Sequence, residues 1–320
     1  MGLLRVVDSG MLTTVQDLGR SGFAAMGVPR GGAADALSLR IGNRLVGNAD
    51  DSPALEMTLT GGTLVFDDST LVSLAGGETA ALIEREDELP RLLGPGAAER
   101  IQAGEMLRVG PIKTGARTYL CIAGGVRVPP VMGSASTLLS CGFGGYFGRA
   151  LRRDDQIEFG SAPPRFRERA LSEAGRALER DNLKRRTIRV VPGAHEDSFD
   201  KKSIAAFLSL PFTVSVKSDR MGLRLDGPPI KSLVGGRMVS EGMPPGAIEI
   251  TESGQPIILM PDGPTTGGYP VIACVASVDL PVLGQLRPRE SIRFTRITLA
   301  EARRLIRERE LTLDREVPRP

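Results

Sequence analysis

The sequence contains no tryptophan, three tyrosines, ten phenylalanines and a single histidine, His195. So few aromatics leave little material for a stacking platform on single-stranded nucleic acid. One histidine nearly closes the route to a Ser-His-Asp triad, and no G-x-S-x-G elbow accompanies it. One histidine among scattered carboxylates is also a weak ligand set, so no metal site is expected. Within Pro192–Asp197 it reads as a surface loop residue. The three cysteines, Cys121, Cys141 and Cys274, are odd in number and lack C-x-x-C spacing. That argues against a disulfide scaffold and against structural zinc, and free thiols fit a reducing cytoplasm. No apolar run approaches the roughly eighteen residues that cross a bilayer. The start, Met1–Arg5, reaches Asp8 too soon for a signal peptide. Charge is nearly balanced, 41 Lys and Arg against 38 Asp and Glu, for a net +3. No polyanion field follows, so neither nucleic acid nor membrane is an expected partner. The basic cluster Lys184-Arg185-Arg186 reads as a solvated linker face. Walker A and G-x-G-x-x-G motifs are both absent.

What the chain does have is 39 glycines and 23 prolines spread between short apolar runs. This is the pattern of many strands and turns. Residues 3–7 predict a strand, and residues 34–46 a helix with Leu37, Ile41 and Leu45 on one face. Gly47-Asn48 supplies its stop. Short strands are expected at 55–59, 63–66, 71–74, 80–83, 106–109 and 117–123. Residues 161–186, opened by Pro163-Pro164, read as a charged linker. Phe166, Ala170, Leu171, Ala174, Ala177 and Leu178 give it a partly helical stripe. Strands resume at 187–191, 212–216, 247–250, 257–260, 272–276 and 292–294. Thr298-Leu299-Ala300-Glu301 is a capping box opening a last helix, and the tail after Glu310 reads as frayed. The implied domains are 1–160 and 187–320, joined by 161–186. Leu151-Arg152 with Ile157-Glu158-Phe159 is echoed 135 residues later by Leu286-Arg287 with Ile292-Arg293-Phe294. A fainter version lies at Gly104–Val109. Duplication of one architecture and chance similarity both account for so short a match.

With histidine and cysteine set aside, carboxylate, arginine, hydroxyl and backbone amide chemistry remain. Gly254–Pro270 concentrates it: an apolar run, Ile257–Met260, enters a turn with Asp262, Thr265, Thr266, Gly267, Gly268 and Tyr269. Such a stretch suits a small-molecule site on a rigid scaffold, and Pro-Asp-Gly is equally plain turn chemistry. Asp17 and Arg20 share a glycine-flanked loop, Arg30 and Asp35 flank Gly31-Gly32, and Ser218–Gly222 has the same character. Arginine can hold carboxylate or phosphate with paired bonds. A carboxylate can serve a magnesium ion or act as base. Each of these groups could equally be a structural salt bridge or turn residue.

Several stretches together resemble one family. They are Leu12–Arg20, Gly27-Val28-Pro29, Asn43–Asn48, Ala123–Val126, Gly133–Thr137, Ser218–Leu225, Ser240-Glu241-Gly242 and Thr265–Pro270. In this order they resemble the allophanate hydrolase subunit 2 family, also called the KipA family or the family of C-type 5-oxoprolinase subunits, which is related to part of urea carboxylase. The resemblance implies a mainly β fold of two cyclophilin-like β-barrel domains with a few short helices. It implies a cytoplasmic subunit of an ATP-dependent 5-oxoprolinase, inactive alone, that opens 5-oxoproline to glutamate. The implied partners are a B-type protein (allophanate hydrolase subunit 1 or KipI-like) and a third subunit. ATP and Mg2+ would act at the level of the complex. Alternatives are a non-catalytic KipA-like binding protein, or part of a urea carboxylase or allophanate hydrolase system. In the enzyme reading Asp17 and Asp262 are the catalytic candidates. Arg20, Arg220, Thr265, Thr266 and Tyr269 are the substrate-binding candidates. The sequence departs from the family pattern at Glu249, where Gln is frequent, and at Pro264, where a polar residue is usual. Ala33-Ala34-Asp35 also replaces the more usual Ala-Met-Asp.

Overall fold

The computed structural model describes residues 1–94, 96–161, 169–235 and 237–319. Pro163, Pro164 and Phe166, read above as linker, lie outside them. Strands dominate, and five α-helices occur among the described residues. None is long and apolar enough to cross a membrane. The backbone falls into two compact units that do not follow sequence order. One gathers Met1–Arg20, Gly31–Lys184 and Leu311–Pro320, the other Ser21–Arg30 and Arg185–Glu310. Helix Glu173–Lys184, inside the segment read as a linker, therefore belongs to the first unit.

The first unit is built on a ten-stranded sheet. Strands expected separately at 71–74 and 80–83 are one strand, Thr70–Glu84, and those at 106–109 and 117–123 are one strand, Met106–Ile122. The two pair antiparallel along their length with three register shifts between Gly76 and Ala81. Bulges absorb the glycines and Pro111 that looked like strand ends. Inside the sheet Leu4, Phe66, Leu107, Leu120, Ile157 and Phe159 form one core. On its other side helix Ala36–Leu45 packs Leu37, Ile41 and Leu45 against Tyr119 and Cys121. Asp35 caps this helix by accepting the Ser38 N–H at 3.0 Å.

The tail after Glu310 is not frayed. Helix Leu299–Glu316 runs through it, and Leu313 and Val317 enter the second core of the first unit. Arg44, fully buried, explains the docking. It grips Asp50 with two nitrogens at 2.5 and 2.8 Å, Asp314 at 2.8 Å and the Val317 carbonyl at 2.9 Å. A polar composition concealed a few anchoring residues.

The second unit is a closed seven-stranded barrel that includes Thr187–Pro192, Gly222–Asp226, Ala247–Ile250, Pro256–Leu259 and Val271–Val275. Phe207, Phe212 and Phe294 cluster in its core, the first and last stacked at 4.4 Å. The capping box is present, with Glu301 N–H donating to Thr298 Oγ1 at 3.1 Å.

The sequence echo is a repeated piece of backbone. Arg287 N–H donates to the Glu290 carboxylate at 2.9 Å, Glu290 N–H returns to Arg287 O at 3.2 Å, and Arg289 between them has φ 73°. Arg152 and Asp155 repeat this at 2.7 and 3.2 Å with Asp154 at φ 69°. Gln102 and Glu105 repeat it again at 2.7 and 3.1 Å with Gly104 at φ 86°. Each turn then exchanges two backbone bonds with a single residue of another strand: Val214, Val6 and Phe66 respectively. The echo in sequence is therefore an echo of one turn geometry, used twice in the first unit and once in the second.

Candidate functional site

The first unit carries Asp17 and Arg20, and its loops are held by these side chains. Asp17 is 7% exposed. Its Oδ1 accepts from Ser134 Oγ at 2.6 Å, Ser136 Oγ at 2.5 Å and Gly19 N–H at 2.7 Å; Oδ2 accepts from Ala135 N–H at 2.6 Å. Four donors on one carboxylate make a rigid anchor. Arg20 donates to Ser136 O at 2.5 Å and lies over the Phe143 ring at 5.0 Å. The Gly133–Thr137 stretch is thus the counterpart that the Asp17 loop clasps. A second pair of motifs does the same: Asn48 donates to Ile122 O and accepts from Gly124 N–H, both at 2.8 Å.

The second unit carries the other candidates. Strand Gly222–Asp226 pairs with Pro256–Leu259, which sets Arg220 and Asp262 side by side at the strand ends. Arg220 Nε meets Asp262 Oδ2 at 2.7 Å and Nη2 meets Oδ1 at 2.9 Å. Both residues are buried, at 6% and 4% exposure. Asp219 supports the turn, accepting Met221 N–H at 2.8 Å and Gly222 N–H at 3.1 Å.

Beyond Asp262 the chain rises into a flap. Thr266–Gly267 pairs antiparallel with Glu241–Gly242, and Met243 N–H donates to Thr265 O at 2.9 Å. Thr266 is exposed, while Thr265 and Tyr269 are half-buried. Under the flap lies Glu249, on the barrel strand Ala247–Ile250 and 5% exposed. A Cβ built at Gly267 would fall 2.0 Å from Glu249 Oε1. A side chain at Gly267 would therefore force the ends of the Glu249 and Met243 side chains to shift. Glu249 Oε1 has no hydrogen-bond partner among the described residues. Burial pushes this carboxyl up from its usual range, which favours the protonated form.

His195 completes the cluster. Its side chain is 12% exposed, so the ring is mostly covered rather than free on the surface as expected. The reason is Val271, next to Glu249 in the sheet register. Val271 N–H donates to His195 Nδ1 at 3.1 Å. The hydrogen-bond pattern therefore assigns the proton of the neutral ring to Nε2. That nitrogen lies 3.3 Å from Glu241 Oε2, whose side chain is 54% exposed. The geometry presents a solvent-facing carboxylate steadied by an imidazole and above a buried carboxyl. Glu241 pairs with Gly267, so Thr266, one residue before it, projects from the opposite face of the flap. Such a set can accept a proton, donate one, or hold a polar small molecule. Among the described residues no group of three or more His, Cys, Asp or Glu could hold a metal ion.

Sequence reasoning missed the roles of His195, Glu241 and Glu249. Ser240-Glu241-Gly242 was visible as a motif, and Glu249 as a departure. What joins them is strand pairing, which spacing did not reveal.

The sequence matches the carboxyltransferase domain, subdomain A and B, across residues 26–296. The chain belongs to that family. Among curated carboxyltransferase-domain relatives, the C-type subunit of 5-oxoprolinase from Escherichia coli (strain K12) is 38% identical, over 94% of this chain and 93% of its own length. The protein of the same name from Haemophilus influenzae is 34% identical, over 98% of this chain and 97% of its own. The crystal structure of the Kluyveromyces lactis urea carboxylase superposes with a TM-score of 0.90 at 32% identity. That match covers 98% of this chain and 29% of the larger one.

Proposed function

We propose that this chain is the C-type subunit of an ATP-dependent 5-oxoprolinase, working in the reducing interior of the cell with a B-type partner protein and a third subunit. One observation carries the reading: the similarity to the C-type 5-oxoprolinase subunit of Escherichia coli is end to end, at 93% of that protein's length. The urea carboxylase likeness engages 29% of a much longer chain, which is the relation of a domain to a host.

The lactam of 5-oxoproline is a poor electrophile, and phosphorylation of its oxygen would create a leaving group. The second-unit cluster supplies groups suited to the steps around that event. Glu241, oriented by His195, can take a proton from an attacking water. Thr265, next to the paired residues of the flap, offers a hydroxyl for the substrate carboxylate or amide, whereas exposed Thr266 projects from the other face of the flap. Glu249 lies buried beneath the flap, its carboxyl pushed up from the usual range by burial. In this reading Asp262 with Arg220, and Asp17 with Arg20, position loops rather than react. ATP and Mg2+ belong to the complex.

The experiment is co-expression of the three subunits, with ATP hydrolysis and glutamate release followed with and without 5-oxoproline. Substrate-dependent turnover that falls at least about a hundredfold in Glu241→Gln supports the reading. No substrate-dependent turnover from the full set sinks it. A binding-only role is the second reading. It is favoured by the internal engagement of Asp17 and Asp262, and it predicts partner association without turnover.

A further inference from the structure

The first unit has a cavity of about 310 Å³ between the bulged stretch of strand Thr70–Glu84 and helix Glu173–Lys184. It shares no residue with the His195 cluster. Leu74, Leu93 and Leu183 give it an apolar floor, the last two 3% and 1% exposed. Glu179 enters from the helix. Its Oε1 accepts the Gly76 N–H at 2.8 Å. No other hydrogen bond to this carboxyl occurs among the described residues, so Oε2 is left for a molecule in the cavity. Glu78, Arg176 and Arg180 stand on the lining as well.

The two arginines are only lightly engaged. Arg180 reaches Glu173 at 2.6 Å and Arg176 reaches it at 3.4 Å, and Glu173 is 71% exposed. Arg176 also donates to Leu171 O at 2.6 Å. Exposed pairs of this kind contribute about 0–1 kcal/mol, so an incoming carboxylate can compete for both guanidinium groups. The cavity is therefore acidic toward Glu179, apolar on its floor and basic along one exposed flank.

We propose that this cavity binds an aliphatic α-amino acid as its zwitterion. The ammonium would meet Glu179, the carboxylate Arg176 and Arg180, and the branched side chain the leucine floor. A volume at the lower end of ligand pockets suits a molecule of that size. A plain carboxylic acid would meet repulsion from Glu179, from Glu78 and from buried Asp35 behind it. A plain amine would leave the arginines unused. Burial, with Asp35 and Glu78 adding repulsion, pushes Glu179 up to about 7. A bound ammonium would favour the ionised carboxylate.

The test is isothermal titration of the full chain with L-leucine, isopentylamine and isovalerate. It reads binding alone, so its outcome is independent of oxoprolinase turnover. Saturable L-leucine binding is expected, at least about tenfold tighter than either fragment. Leucine affinity should rise between about pH 6 and pH 8 as Glu179 ionises, and Glu179→Gln should abolish both the rise and most of the binding. The Arg176→Ala/Arg180→Ala variant should weaken leucine and leave isopentylamine unchanged. The proposal is overturned if leucine shows no saturable binding up to about 10 mM, if isovalerate binds as tightly, or if affinity is flat with pH. Should Glu179→Gln not fold, the wild-type pH profile and the double arginine variant decide.

Discussion

Replacing Asp262 with alanine removes one half of a buried bidentate pair and leaves the Arg220 guanidinium, 6% exposed, without its carboxylate. Breaking a buried pair on one side costs about 3–5 kcal/mol, whereas replacing both partners with apolar residues of similar size is often close to neutral. Asp262→Ala is therefore expected to lose about 3–5 kcal/mol, and Arg220→Met/Asp262→Leu to recover most of it. Urea titration followed by circular dichroism reads this as a shift in midpoint at constant slope. The same variants separate structure from chemistry. A stable double variant that still hydrolyses ATP in response to 5-oxoproline, in the full complex, assigns Asp262 to positioning. A loss below about 1 kcal/mol for Asp262→Ala, or a double variant no better than the single, would refute the argument that burial makes this pair indispensable as a pair.

Glu249→Gln should stabilise the protein at neutral pH. A carboxyl raised by burial holds its proton more tightly folded than unfolded, so wild-type stability falls as pH rises from the unfolded value through the folded one. Denaturation midpoints at about pH 5 and pH 8 should then differ less in the variant than in the wild type. Leu313→Ala removes a fully buried side chain and should cost about 2–5 kcal/mol by the same titration. His195→Asn can keep an acceptor for Val271 N–H while losing the contact to Glu241; reduced turnover of the complex with an unchanged melting temperature is expected. Asp154→Gly and Arg289→Gly place glycine at left-handed positions equivalent to Gly104, and melting curves should shift by the equivalent of less than about 1 kcal/mol.

The elements that could be read from sequence are those whose signal is local. Ala36–Leu45 announced itself by four-residue spacing and a glycine stop, and Thr63–Phe66 and Ala247–Ile250 by short apolar runs between turns. The long strands Thr70–Glu84 and Met106–Ile122 were divided because bulge glycines resemble turn glycines until a partner strand is known. The docked tail was missed because Asp314 and Leu313 acquire meaning only against Arg44, some 270 positions earlier. The site followed the same division. Thr265–Pro270 was legible as a motif, whereas His195 meets Val271 and Glu241 through pairing distant in sequence. Glu249 was visible as an odd residue, but its place beneath Gly267 was not.

The grouping of Leu311–Pro320 with the first unit has a consequence for synthesis. Residues 1–184 leave the ribosome well before that segment is made. At about 5–20 residues per second the interval is on the order of ten seconds. During it the surfaces that receive Leu313 and Val317 stand uncovered, and Arg44 holds Asp50 without Asp314. Most of the second unit, Arg185–Glu310, is translated within that interval. The first unit is thus begun first and closed last, and a gene cut at the 184/185 boundary would yield a first half still waiting for its final turns of helix.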